Sequence, residues 1–311
     1  MYSGYMESQS KHRAKLTAVI PVARIGGDLD NLRSWIQGET IEAVNLILAH
    51  DIQDMITGPE LAKLYSPQKR IQIIEGYFGS PGAARNAGLA LIATDWVAFW
   101  DSDDLPNVAE VIRMIDLATN AGKSIALGAF EVKTLGRLET STTHEIKNST
   151  AGNLLDQVGM NPGLWRWAFR REVINETRFM PFRMAEDQCF LFDLRLNVGD
   201  IYVHNKSVYT YFVGDPLQLT QNPKAISDLL KSVPYLVNSL GKADTSLSNF
   251  GALLVTRQAI TALRRGSLIT KARMIIEIIG MLSTIFINRR IAFSRAFRLL
   301  VKSRRPLVNE K

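Results

Sequence analysis

The sequence predicts an α/β fold built on a mostly parallel, doubly wound sheet, and three observations support this prediction. Short apolar runs rich in β-branched residues alternate with helix-like segments through the first 120 residues. No internal repeat is found along the chain. A cluster of carboxylates directly follows one apolar run. Because ligands of such sheets bind beyond the carboxyl ends of the strands, this cluster marks the candidate site.

The first four strands are predicted at four apolar runs, namely LTAVIPV (16–22), AVNLILA (43–49), RIQIIE (70–75) and DWVAFW (95–100). Helices are predicted between or after them at DLDNLRSWIQ (28–37), SPGAARNAGLALIA (80–93) and LPNVAEVIRMIDLATN (105–120). In the second helix Pro81 suits the first turn behind Ser80. Its small residues Ala83, Ala84, Ala87 and Gly88 would let it lie close to the sheet.

The second half of the chain is less regular. Further strands are predicted in SIALGAFEVKTLGRL (124–138) and IYVHNKSVYTYFV (201–213), and a helix over 184–199. Beyond about residue 221 the pattern is helical to the end. We therefore expect a flexible N-terminus over 1–15, an α/β domain over 16–220 and a helical, basic region over 221–311.

The composition indicates the cellular compartment in which the protein works and the kind of partner that it binds. Cys189 is the single cysteine, which excludes an internal disulfide and suits a reducing environment. The polar start and the lack of about 18 consecutive apolar residues predict neither a signal peptide nor a spanning helix. The residues from Arg264 onwards carry twelve Lys and Arg against two acids, whereas the preceding part is slightly acidic. We expect a cytoplasmic protein that does not bind nucleic acid and meets a localised anionic partner.

The run VAFWDSDD (97–104) leads a buried strand into the carboxylates of Asp101, Asp103 and Asp104. Residues two apart at the end of a strand point the same way, so Asp101 and Asp103 are within reach of one hard cation such as Mg²⁺ or Mn²⁺. The alternative is that Asp104 caps the following helix.

A second pair of acids, Glu186 and Asp187, begins a predicted helix about 85 residues later. Acids in a first turn are ordinary partners of the helix dipole, but one facing the first cluster would serve as a general base. Arg85 would pair with a pyrophosphate or with the acidic cluster, unless it is an ordinary surface arginine. The four histidines have no metal-ligand spacing, and Cys189 lies among apolar residues, as core cysteines do.

Taken in order, several segments resemble the inverting family-2 glycosyltransferases of the GT-A fold, especially bacterial enzymes that build capsule, lipopolysaccharide or related glycans. The matching segments are AVIPV (18–22), GSPGAARNAGLALIATDWVAFWDSDD (79–104), LWRWAFRREVI (164–174), RFMPFRMAEDQCFLF (178–192) and YTYF (209–212). The resemblance spans roughly residues 16 to 215 and would make 16–220 the catalytic domain. Its most diagnostic part is the Ala-Arg-Asn helix joined to a strand ending in Asp-Ser-Asp-Asp.

The resemblance implies transfer of a sugar from a nucleotide-diphosphate donor to a glycan or lipid-linked acceptor, with inversion and with Mn²⁺ or Mg²⁺. Pro21 and Val22 would flank the nucleotide. Asp101 would touch the ribose or the waters of the metal, and Asp103 would bind the metal through the diphosphate. Asp187 would be the general base, with Glu186 as its supporting neighbour.

Other residues follow from the resemblance with less support. Trp165 and the basic residues Arg170 and Arg171 would shape the acceptor or phosphate side. The chain departs from the family after its second strand, where LAHDIQD (48–54) leaves Asp51 as the nearest residue for recognising the base. It departs again at Ala23–Arg24, which replaces the usual Tyr-Asn in the floor of the nucleotide pocket.

Two other functions compete with this one. A sugar nucleotidyltransferase would carry a Gly-rich basic loop after the first strand, which VARIGGD (22–28) matches weakly and which leaves Glu186 and Asp187 unexplained. A non-catalytic relative would bind a nucleotide or a partner without turnover, which the intact Asp103 and Asp187 disfavour.

The C-terminal segment INRRIAFSRAFRLLVKSRRP (287–306) is a basic amphipathic pattern. Phe293, Phe297 and Leu300 fall on one helical face, and its cations fall on another. Such a helix lies on an anionic membrane surface or packs on the catalytic domain. The first alternative predicts a peripheral protein on the inner face of the cell membrane.

Overall fold

A computed structural model of the 311-residue chain describes residues 14–23, 29–36, 42–55, 57–64, 70–134, 141–146, 153–214, 222–240 and 243–302. Most of the predicted N-terminal segment lies outside these residues, as do Arg24, the two glycines that follow it and the end of the basic segment.

The first half of the described chain alternates strands and helices, as predicted. Its elements are β1 (Leu16–Val22), α1 (Asp30–Ile36), β2 (Val44–Asp51), α2 (Thr57–Leu64), β3 (Ile71–Gly76), α3 (Pro81–Leu89), β4 (Trp96–Phe99), β5 (Leu105–Pro106) and α4 (Val108–Asn120). β1 pairs in parallel with β2 and β4, and β2 pairs in parallel with β3. Strands β1 and β4 are buried on both faces, which is why each reads as a continuous apolar run.

The second half completes one mixed sheet. Its elements are β6 (Ile125–Thr134), β7 (Ser141–His144), α5 (Leu154–Met160), a 3₁₀ turn (Leu164–Arg166), β8 (Trp167–Arg170), α6 (Arg171–Ile174), α7 (Glu186–Asp193), a 3₁₀ turn (Val198–Asp200) and β9 (Ile201–Val213). The strand order is β3-β2-β1-β4-β8-β6-β9-β5, with β7 beside β6. β8 is antiparallel to both β4 and β6, whereas β6 and β9 are parallel.

The helix predicted to begin at residue 105 begins later, at Val108. Asn107 is its N-cap, because the side chain of Asn107 accepts a hydrogen bond from the Glu110 amide. Leu105 precedes a proline, which disfavours helical backbone, and Leu105–Pro106 pairs with β9 instead. The reading of Asp104 as the helix cap is therefore wrong: its carboxylate accepts the Phe212 amide at 2.8 Å.

Helix α3 lies close to the sheet, as its small residues predict. A Cβ atom at Gly88 would come within 2.4 Å of Val19 Cγ1 in β1. At the other end of α3, a Cβ at Gly82 would come within 2.5 Å of the Met180 carbonyl oxygen, on the segment that leads to α7. These two contacts press α3 between β1 and that segment.

The described residues from 223 onwards are largely helical, as predicted, and form α8 (Pro223–Ile226), α9 (Leu229–Ser239), α10 (Thr245–Arg265) and α11 (Leu268–Lys302). One apolar core runs from Val97 and Phe169 in the sheet to Leu236 in α9 and Phe250 in α10. No helix in the described part of the chain is both long and apolar enough to cross a bilayer.

The predicted apolar face of the C-terminal segment is divided in the structure. Leu300 is buried against Ala252 and Leu253 of α10, and Phe293 packs against the same cluster, whereas the Phe297 side chain is 59% exposed. This part of α11 therefore packs mainly on α10, within the helical region itself, and its contact with a membrane stays a prediction.

Candidate active site

Three parallel strands end at one edge of the sheet and bring the predicted nucleotide-side residues together. Pro21 and Val22 in β1 lie opposite Ala49 and His50 in β2. Asp51 ends β2, and Asp101 follows β4 by two residues. The Val22 side chain is buried among apolar residues, so Val22 presents only its backbone at this edge.

Asp51 is buried and holds the loop that precedes α3. Its Oδ1 accepts the Gln53 amide at 3.1 Å, and its Oδ2 accepts the Gly79 amide at 2.6 Å. A carboxylate has about four acceptor positions, so these two bonds leave it able to accept another donor. Its place at the end of β2 agrees with the predicted position, and its role towards a base stays a prediction.

Arg85 joins the two groups of acids that the sequence separates by about 85 residues. Its side chain is 6% exposed; one guanidinium nitrogen donates to Asp101 Oδ1 and the other to Glu186 Oε1, both at 2.7 Å. The Phe179 ring packs against the guanidinium at 5.5 Å. Of the predicted alternatives, the structure shows the pairing with the acidic cluster, and Arg85 is not an ordinary surface arginine.

Helix α7 places both of its first acids at this cluster. It begins at Glu186 behind Ala185, whose backbone is left-handed with φ 67°. Just before it, Arg183 donates to Asp228 through its amide and through a forked side-chain contact at 2.8 and 2.9 Å. The anchored segment and the contact at Gly82 together fix where α7 starts, and thus where Glu186 and Asp187 lie.

Asp187 has the protonation behaviour of a base that works near neutral pH. Burial raises the pKa of Asp187 to about 7; the Glu186 charge adds to this effect and Arg85 opposes it. Burial also raises the pKa of Asp101, and Arg85 again opposes the rise. One buried cation, Arg85, therefore stabilises the ionised forms of both acids.

Asp104 differs from its neighbours in the DSDD run. It is fully buried, and burial, followed by the charges of Asp103 and Asp101, raises its pKa well above the usual range. Its bond to the Phe212 amide ties the loop after β4 to β9. Asp104 therefore has a structural role at the site, whereas the side chains of Asp103 and Asp101 are partly exposed.

An aromatic wall borders the acids on the β9 side. The Tyr209 hydroxyl accepts the Asp101 amide at 3.0 Å, and the Trp165 ring stacks on Tyr209 at 4.6 Å and on Tyr211 at 5.4 Å. Trp165 therefore lies beside the acidic cluster, and its role at the acceptor or phosphate side stays a prediction. The hydroxyl contact of Tyr209 was missed, although the spacing of Tyr209 and Tyr211 already placed both on one face of a strand.

Arg170 and Arg171 lie at the opposite edge of the sheet, so their predicted role at the acceptor or phosphate is wrong. The Arg170 guanidinium lies 5.0 Å from the Trp96 ring centroid and 3.7 Å from Asp95, and Arg171 donates to the Ile92 carbonyl. All three partners are at or before the start of β4. Because β8 is antiparallel to β4, the end of β8 lies at that start, far from Asp101.

Other residues named in the sequence have structural partners. Cys189 is buried, and burial raises the pKa of its thiol, so it belongs to the core as predicted. His204 contacts Glu110 at 2.8 Å, and the His50 ring contacts the Asp54 carbonyl.

An apolar cavity of about 310 Å³ lies apart from the acids, between α10 and α11, and is lined by residues such as Leu263 and Phe297.

The donor set suits a hard divalent cation shared with a diphosphate. Nowhere in the described ranges do three or more His, Cys, Asp or Glu residues come together in a group that could hold a metal by themselves. Mg²⁺ and Mn²⁺ are commonly held by one or two carboxylates, with water and phosphate oxygens completing the shell. Asp101, which has one oxygen on Arg85, and Asp103 provide such a pair, and they fit the predicted ion.

Comparison with known proteins agrees with this geometry. The family model described as Glycosyl transferase family 2 matches residues 31–179, which include Arg85 and the DSDD run. The poly(ribitol-phosphate) beta-N-acetylglucosaminyltransferase TarP of Staphylococcus aureus is 22% identical over 64% of this chain and 62% of its own. The succinoglycan biosynthesis protein ExoO of Rhizobium meliloti is 28% identical over 54% of this chain and 47% of its own. The chain thus spans about half to three fifths of these relatives.

Solved structures match over more of the chain. The crystal structure of S. aureus TarS 1-349 in complex with UDP-GlcNAc superimposes with a TM-score of 0.68 at 16% identity, covering 93% of this chain and 91% of that one. A second crystal structure of S. aureus TarS 1-349 superimposes with a TM-score of 0.66 at 16% identity, covering 90% of this chain and 83% of that one. The predicted GT-A fold is confirmed by these matches.

Proposed function

We propose that the chain, whose residues 31–179 match the model of glycosyl transferase family 2, transfers a sugar from a nucleoside diphosphate donor to an acceptor hydroxyl, with inversion at the sugar C1. The observation that carries this proposal is the Arg85 bridge. It holds Asp101 of the strand edge and Glu186 of α7 2.7 Å from one guanidinium, next to Asp187. A donor side and a base side thereby share one small site.

The strand edge forms the donor side. The backbone at Pro21 and Val22 and the carboxylate of Asp51 would flank the nucleoside, and Asp101 and Asp103 would hold the divalent ion together with the diphosphate. When bound, the ion supplies Lewis-acid stabilisation of the negative charge that grows on the leaving nucleoside diphosphate. Arg85 contributes fixed positive charge beside this edge, and its two terminal guanidinium nitrogens are held in place by Glu186 and Asp101.

Asp187 is the general base of the proposed reaction. A new bond forms between the acceptor oxygen and C1 as the bond from C1 to the diphosphate oxygen breaks, and the acceptor proton passes to the Asp187 carboxylate. The pKa of about 7 leaves a substantial ionised fraction at neutral pH and makes the carboxylate more basic than an ordinary aspartate. Attack from the face opposite the leaving group inverts the configuration.

Glu186 supports this base without taking the proton. It is buried and bonded to Arg85, and its charge raises the pKa of Asp187. A sugar nucleotidyltransferase has no evident use for this pair, and a non-catalytic relative has no need of a base held at neutral pKa. Both alternatives therefore explain the site less well.

The relatives suggest a first substrate pair. TarP is named for transfer of N-acetylglucosamine to poly(ribitol phosphate), and TarS was crystallised with UDP-GlcNAc. We take UDP-GlcNAc as the first donor, with poly(ribitol phosphate) or another glycan or lipid-linked polymer as acceptor. The buried, unpaired Cys189 suits a cytoplasmic site of action.

Transfer is tested by incubating the protein with radiolabelled UDP-GlcNAc, UDP-glucose or GDP-mannose, each with poly(ribitol phosphate) or a bacterial cell-envelope glycan fraction and Mn²⁺. We expect label to enter the polymer from one donor and EDTA to abolish incorporation. The anomeric configuration of the product, read by NMR, should be opposite to that of the donor. Retention of configuration, or full activity in EDTA, would contradict the mechanism.

A further inference from the structure

The first third of α11 exposes a cluster of large apolar side chains. Eleven large hydrophobic side chains are exposed among the described residues, and five of them fall within twelve consecutive positions. These five, here called the α11 apolar face, are Leu268, Ile269, Ile275, Ile276 and Ile279, with exposures between 49% and 84%. Scattered exposed residues need no explanation, but a contiguous apolar patch marks a contact surface.

The α11 apolar face follows the helical repeat. At about 100° per residue, its five members occupy a stripe roughly 120° wide. Thr270 and Met274, on the opposite side of the helix, are buried against the rest of the protein. This segment of α11 therefore has two apolar sides, one used by the fold and one directed to solvent.

Cations surround the exposed stripe. Lys271 and Arg273 lie on its two borders, and Arg264 and Arg265 are exposed at the end of α10, three residues before α11 begins. Glu277 is the single acid from Arg264 to Ile279. An apolar stripe bordered by cations complements a surface that is apolar inside and anionic outside.

We propose that the α11 apolar face docks on an anionic lipid bilayer, with its isoleucines at the headgroup–acyl boundary and its cations among the phosphates. The occupant is argued from charge: a second copy meeting this face would bring like cations together, which opposes self-association. This surface lies N-terminal to the predicted face at residues 293–300, which the fold largely uses. The proposal does not depend on the activity proposed above.

The test is co-sedimentation of the full chain with vesicles of phosphatidylcholine alone or with about 30% phosphatidylglycerol, without nucleotide. We expect binding to the anionic vesicles, weakened by added salt. Ile276→Asp should weaken it by about tenfold or more, and Arg273→Gln by about fivefold. The controls Met55→Asp and Arg113→Gln change exposed side chains elsewhere and should leave binding unchanged.

Each variant alters an exposed side chain, so unfolding does not confuse the result, and circular dichroism verifies this. Equal binding to both vesicle types, or no binding to either, overturns the proposal. So does binding that Ile276→Asp leaves intact. A dimer seen by sedimentation without lipid, and dissociated by Ile276→Asp, would instead identify a contact between two copies. Transfer to a water-soluble acceptor should be unaffected, so this test and that of the proposed activity fail separately.

Discussion

Asp187→Asn is expected to lower sugar transfer by about 10³-fold while leaving donor affinity within about twofold of the wild type. The amide has nearly the same shape as the carboxylate but accepts no proton from the acceptor. Asp187 lies at the start of α7 beside Arg85 and Glu186, where the proposed base is needed. Steady-state kinetics and donor titration on the same preparations measure both quantities.

The same residue predicts how activity depends on pH. With the pKa of Asp187 at about 7, kcat/KM should fall as the pH drops below about 7, approaching tenfold per pH unit. The residual activity of Asp187→Asn should lack this acid limb. Asp193→Asn is the matched control on the same helix, because that carboxylate accepts a hydrogen bond from the Tyr235 hydroxyl on α9. An unchanged acid limb in Asp187→Asn would contradict the assignment.

The unfolding temperature of Asp187→Asn should show whether the variant loses activity because it lacks the base or because it is unfolded. The folded-state pKa of Asp187 lies above its ordinary value near 3.8, so the folded state favours the protonated form. The stabilisation associated with that group is therefore present at low pH and is lost as the pH rises through about 7. Asp187→Asn, which is always uncharged, should unfold at pH 8 at a temperature no lower than that of the wild type.

Arg85→Gln is expected to cost about 3–5 kcal/mol of unfolding free energy and to reduce transfer strongly without abolishing it, because it leaves two carboxylates beside an uncharged side chain in a mostly buried site. The side chain of Glu186 is 8% exposed and that of Asp101 is 33% exposed. Most of the lost unfolding free energy should therefore come from leaving Glu186 without its cation. Arg85→Lys retains the charge without the fork, and we expect it to restore part of the stability but little of the transfer. Urea unfolding and the transfer assay separate the two effects.

A positioning role for Arg85 has a signature that lost stability alone does not produce. Arg85 lowers the pKa of Asp187, so its removal should move the acid limb of any residual activity to higher pH. Arg295→Gln breaks an ion pair with Asp156 on α5, outside the site, and is the control. It should reduce stability without moving the pH profile. An acid limb that stays in place in Arg85→Gln would show that Arg85 does not act on the base.

The order of strands and helices at the site could be predicted because apolar runs and helical periods are local signals. The ends of β1, β2 and β4 follow directly from such runs, and parallel pairing then places Asp51 and Asp101 at one edge. The contact of Arg85 with both Asp101 and Glu186 joins residues far apart in the chain. The sequence left the acidic cluster as one of several alternative partners of Arg85. Only the fold brings residues so far apart within 2.7 Å of one guanidinium.

The errors have equally specific causes. Arg170 was placed near the substrate because the apolar pattern of β8 does not reveal that the strand runs antiparallel to β4. The alternative of Asp104 as a helix cap arose because a proline two residues later was not used to delay the helix. Phe293 and Leu300 lie on a real apolar face, but the pattern alone does not decide whether protein or solvent meets it.

Calorimetric titration of UDP, GDP, CDP and dTDP, with and without Mn²⁺, into the wild type and Asp103→Ala tests the central claim most directly. The claim is that the carboxylates at the end of β4 hold a divalent ion together with a diphosphate. We predict metal-dependent binding of one nucleotide, lost in Asp103→Ala and kept in the control Asp200→Ala, which changes an exposed aspartate outside the site. Absence of nucleotide binding under every condition, or binding indifferent to both Mn²⁺ and Asp103, would contradict it.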